Sequence, residues 1–131
     1  MGINTNSHID DRYLKPLKKL EKVKTLLIET NNKNEIQAMI DSLKGLSGLI
    51  PKEKYNTLTQ MIVILQDMEK QQKDKWFKLD GELSFENRFF RRSELKNKLK
   101  KLSKLIVELG NGVEMMYDLK SQESECAVKL F

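Results

Sequence analysis

Arg88, Arg91 and Arg92, followed by Lys96, Lys98, Lys100, Lys101 and Lys104, load the stretch RFFRRSELKNKLKKLSK with eight positive charges against the single acid Glu94. Phe89 and Phe90 stand among the arginines. Cations at this density do binding chemistry rather than bond-making chemistry. They neutralise a polyanion, and a phosphate backbone is the commonest one. Aromatic rings beside cations can add stacking on unpaired bases, which is worth roughly 1–3 kcal/mol per base.

Residue types suited to catalysis are sparse and badly placed. His8 is the only histidine and lies near one end of the chain, while Cys126, the only cysteine, lies near the other. Neither has a partner at the spacing a metal site or an activated nucleophile requires. LKGLSGLI carries two glycines but no Gly-Lys-Ser/Thr after them, so it is no phosphate loop. Glu82 and Glu86 would meet on a helix, but among 19 acids such a pair arises by chance. The chain is therefore expected to be non-enzymatic, with no cofactor and no metal.

The positive charge is local. Residues 88 to 104 sum to +7 and the rest of the chain to −2, within a total of +5. A weaker basic run, Arg12 to Lys24, offers Lys15, Lys18, Lys19 and Lys22 as a second patch. One cysteine excludes an internal disulfide. No apolar run approaches the 18 residues of a membrane span, and MGINTNSHIDD lacks the pattern of a signal peptide. A cytoplasmic, reducing setting is the expectation.

The elements that position these residues are helices. The chain has 131 residues, only two prolines and six glycines, and is 39% hydrophobic and 33% charged. Lys, Glu, Leu and Gln abound, and these side chains lose little freedom in a helix. An all-α, single-domain bundle of about four helices is expected over residues 10 to 120. A flexible tail is expected at 1 to 9, a second tail at 121 to 131, and room remains for a short extra helix near the C-terminus.

Helix one is placed at about 15 to 30, with Pro16 in its first turn and Leu17, Leu20, Val23 and Leu27 on one face. NNKN should break the chain, with Asn34 capping helix two and Gln37 completing the box. Ile36, Met39, Ile40 and Leu43 then form an apolar face ending near Gly45 or Gly48. Pro51 and Glu53 start helix three, which runs through Tyr55, Leu58, Met61, Ile62 and Leu65 toward Lys78. Past Met68 it turns polar, as if it projects beyond its neighbours. LDGELS reads as a turn, with Ser84 as a cap. Helix four carries a heptad seam of Leu95, Leu99, Leu102, Ile106, Leu109, Val113 and Met116, and Gly110-Asn111-Gly112 should kink or end it.

Extending that seam backwards puts Arg88 and Arg92 inside and Phe89 and Phe90 outside. Two resolutions follow. Either Ser93 caps a new helix and a separate segment, 84 to 92, rotates to pack Phe85, Phe89 and Phe90, or one continuous helix exposes the rings. The preference of aromatics for cores makes the packed arrangement the expectation.

The expected function is nucleic-acid binding, largely independent of sequence, through Arg88, Arg91, Arg92 and the lysines to Lys104, with Phe89 and Phe90 alongside. The protein would act alone or as an accessory subunit of a larger complex. The alternative is a protein-interaction module, an adaptor, inhibitor or oligomeric subunit, using Leu95, Leu99, Leu102, Ile106 and Leu109 as a coiled-coil seam. Membrane attachment is disfavoured, because the apolar side of the basic helix is a narrow stripe.

Overall fold

The computed structural model describes residues 11–46 and 54–129, with side chains through Ser121. Four helices follow one another: α1 (Asp11–Leu26), α2 (Thr30–Lys44), α3 (Tyr55–Phe85) and α4 (Phe89–Lys129). No strand occurs among the described residues, so the protein is an all-α bundle. The expected tail at 1 to 9 and the helix start at Pro51 and Glu53 lie outside them.

Short connections make two hairpins. α1 and α2 are joined by residues 27 to 29, and Lys24 of α1 donates to Gln37 of α2 at 2.6 Å. α3 and α4 are joined by residues 86 to 88 and run antiparallel along their length. Lys120 bonds Thr59, Gln66 bonds Tyr117, Trp76 bonds Ser103, and Arg92 reaches the carbonyl of Leu83. α1 lies against α4 as well as α2. One core unites them: Tyr13, Leu17, Leu20 and Val23 from α1; Ile36, Met39, Ile40 and Leu43 from α2; Leu58, Met61, Ile62, Leu65 and Met68 from α3; Leu105, Leu109, Val113, Met116 and Leu119 from α4.

That core stops at Met68 on α3 and Leu105 on α4. Beyond it the long hairpin continues as a two-helix arm, which the polar run EKQQKDK foreshadows. Leu95 and Leu99 are buried between the arm's helices yet stand apart from the main core. From Trp76 to its end, α3 adds ten residues, or roughly 15 Å at 1.5 Å per residue.

Several boundaries differ from expectation. α1 begins at Asp11, which places an acid in its first turn and leaves Pro16 in the helix interior rather than the first turn. Pro16 is buried there, so packing holds a residue that contributes no amide to the ladder. α2 begins at Thr30, not after Asn34: Glu29 is the extended residue at its start and its carbonyl accepts from the Lys33 amide, so Asn34 lies within the helix. α2 ends at Gly45 as expected.

LDGELS is helical, not a turn: α3 passes through Asp80-Gly81, and the Ser84 hydroxyl donates to the Asp80 carbonyl within the helix. Gly110 and Gly112 do not end α4, which continues to Lys129. A β-carbon on Gly110 would lie 3.2 Å from the Glu69 carboxylate, and one on Gly112 would touch Lys19 and Leu65. These glycines mark where α1 and α3 approach α4 closely. Among the described residues no separate C-terminal helix follows α4, whose last residues are 121 to 129.

Candidate nucleic-acid interface

The turn between α3 and α4 is built by the residues expected to bind. Glu86 ends α3 in extended conformation (φ −87°, ψ 128°), and its carboxylate accepts from the amides of Asn87 and Arg88, both at 3.1 Å. The Arg88 guanidinium closes on the same carboxylate with two bonds of 3.0 Å. These bonds hold the Glu86 carboxyl down at about 2, the Arg88 side chain being the largest cause. Arg92 donates to the carbonyls of Leu83 at 3.0 Å and Glu86 at 2.8 Å, satisfying the end of α3 from the next helix. Arg91 is paired with Glu82 and Glu94.

The three arginines are therefore already occupied. Counting over 88 to 104 included only Glu94; Glu86 stands just ahead of that segment, and the hairpin brings in Glu82 from α3. In this arrangement the arginines hold the turn, while the Arg88 side chain stays 78% exposed. Lys98 lies 3.6 Å from Glu94, a loose pair on an exposed surface.

The remaining lysines are different. Lys96, Lys100, Lys101 and Lys104 are exposed, and none has a carboxylate within 4.0 Å among the described residues. Steps of four residues keep Lys96, Lys100 and Lys104 on one side of α4, with Lys101 flanking them. Seven residues before Lys96, the same side carries Phe89.

Phe89 and Phe90 are not packed. They are 75% and 85% exposed, and their rings meet edge to face with centroids 5.7 Å apart. The expected break at Ser93 is absent, because Ser93 sits inside a continuous α4. Phe85, expected on the bundle, is 88% exposed. Arg92, whose guanidinium caps α3, sets the phase of the helix start: Phe90 falls on the far side of α4 from it, while Phe89 lies about 60° round from Arg92 and is turned away from the Leu95 and Leu99 face.

The second basic patch is half consumed. Lys19 and Lys22 both meet Glu108, at 2.8 and 3.5 Å, where α1 crosses α4. That contact lowers the Glu108 carboxyl, mainly through the Lys19 hydrogen bond. Lys15 and Lys18 remain exposed on α1.

The seam expected to meet another protein is spent inside the chain. Leu95, Leu99 and Leu109 are buried, while Leu102 and Ile106 are half-buried. Leu105 joins the core and Ile106 is half-buried, since at this level α1 also packs against α4 and turns its covered face toward Leu105 and Glu108. No helix among the described residues is long and apolar enough to cross a membrane. They also hold no group of three or more metal-ligating side chains. His8 and the side chain of Cys126 lie outside the described residues. No family model matches this chain, and no match is found among curated proteins or among solved structures.

Proposed function

We propose that the protein binds nucleic acid through the outer face of the first half of α4, contacting the phosphate backbone without reading sequence, alone or as an accessory subunit. The carrying observation is the uncompensated set Lys96, Lys100, Lys101 and Lys104. Acids were within reach of this hairpin, and the fold directs Glu82, Glu86 and Glu94 to the arginines and Lys98 instead. Like charges at four-residue spacing repel by roughly 0.2–0.5 kcal/mol per pair. An external polyanion turns that cost into attraction.

Contacts of this kind supply affinity and orientation, while base contacts would supply sequence choice. With four phosphates engaged, the logarithm of affinity should fall against the logarithm of salt with a slope of about −3 to −4. Gel shifts with RNA, single-stranded DNA and duplex DNA at several salt concentrations test this. Binding that ignores salt, or that survives in full when Lys96, Lys100 and Lys104 are all changed to Glu, overturns the reading. A protein-interaction role would have to use another surface, since the leucine seam is largely enclosed.

A further inference from the structure

All four phenylalanines among the described residues, Phe77, Phe85, Phe89 and Phe90, are more than two-thirds exposed, and none joins the core. Leucine, isoleucine and methionine fill the interior, while the rings sit on the arm. Leaving a phenylalanine in water forgoes roughly 1.5–3 kcal/mol of burial. Phe89 and Phe90 stand at the head of the lysine face, on a helix start fixed by the Glu86, Arg88 and Arg92 bonds. Their edge-to-face contact presents two ring surfaces at a large angle, 79°.

Resting on the nucleic-acid reading above, we infer that the preferred ligand is single-stranded, its backbone lying along Lys96, Lys100, Lys101 and Lys104 while unpaired bases stack on Phe89 and Phe90. A duplex keeps its base faces covered, so it could use the lysines but not the rings. A single strand offers both charge and open base faces, which is the pairing that sequence-tolerant single-strand binders employ. From Phe89 to Lys104 the helix spans about 22 Å, a length suited to a strand of several nucleotides. A membrane surface fits less well. Between Phe90 and Val107 the outward side carries Ser93, Lys96, Asn97, Lys100, Lys101 and Lys104, so no apolar stripe runs along the helix for a bilayer to receive.

The test compares the intact protein, Phe89→Ala/Phe90→Ala and Lys96→Glu/Lys100→Glu/Lys104→Glu on a single-stranded oligonucleotide and a duplex of equal length. The wild type should prefer the single strand. Loss of the rings should weaken single-strand binding at least about fivefold per stacked base and leave duplex binding unchanged. Phe89→Trp/Phe90→Trp should restore the preference, and since the rings are exposed, far-UV circular dichroism should be the same for all variants. Equal weakening on both ligands, or no weakening, overturns the stacking inference. The backbone reading survives that outcome if the lysine variant still loses both ligands. Absence of binding to either oligonucleotide by the wild type removes both readings. Ring-dependent flotation with phosphatidylserine vesicles, without single-strand preference, overturns the inference in favour of a lipid surface.

Discussion

Glu86 accepts from the amides just ahead of α4, and Arg92 donates to the carbonyls that finish α3, so two side chains of opposite charge satisfy the turn from both sides. The Glu86 carboxyl is held at about 2 against an ordinary 4.5. A carboxyl depressed in the folded state contributes stability that is complete above its unfolded value and is lost as pH falls through its folded value. The turn should therefore loosen as pH drops from about 4.5 toward 2, and Glu108 adds a loss of the same sign between α1 and α4. Thermal melts across this range should show falling stability, with a shallower dependence in Glu86→Gln. An unchanged profile in that variant would assign the acid sensitivity elsewhere.

Lys100 supplies a second prediction at this scale. It lies four residues from both Lys96 and Lys104, so Lys100→Glu replaces two repulsions with two attractions. Stability should rise by a few tenths to about 1 kcal/mol while affinity for nucleic acid falls. Denaturant unfolding beside a binding titration checks both halves. A variant that loses stability would show that the lysine has a structural contact.

Helix interiors hold Pro16, Asp80-Gly81, Gly110 and Gly112, and this decides what could be foreseen at the scale of elements. A β-carbon on Gly81 would meet nothing within 4 Å, and the residue sits in the exposed interior of α3. Gly81→Ala should stabilise the protein by about 0.5–1 kcal/mol, read as a raised melting temperature. Loss of stability would mean that the arm uses flexibility there.

The apolar faces of α1, α2 and α3 were legible because Leu17, Ile36, Met39, Leu58 and Leu65 recur at helical spacing, a purely local signal. The site was half legible. The lysines could be located, but Arg91 also meets Glu82 across the hairpin, Arg92 caps the carbonyls of Leu83 and Glu86, and Arg88 closes on Glu86 just outside the counted segment, contacts that charge counting over 88 to 104 does not include. The end of α3 was misplaced for a related reason. Asp80-Gly81 is a good turn pair in isolation, yet the chain turns six residues later, where Glu86 and Arg92 can cap both ends.

At the scale of the molecule, a four-helix body carries a two-helix arm, and the two differ in how much they bury. The arm relies on Leu95, Leu99 and half-covered neighbours, whereas the body shares one continuous core. Local opening follows buried apolar contact. Amide hydrogen exchange should therefore be faster over 76 to 100 than over 13 to 43 or 105 to 119, and nucleic acid should slow it in the arm first. Uniform protection would show that the arm's short seam suffices unaided.

The chain's single tryptophan lies on the arm, its indole N–H donating to the Ser103 hydroxyl at 2.9 Å and its ring edge-on to Phe77. That placement makes the protein its own optical gauge. Any parting of the two arm helices would further hydrate the half-buried Trp76 and redden its emission, with no dye attached and no second indole to subtract.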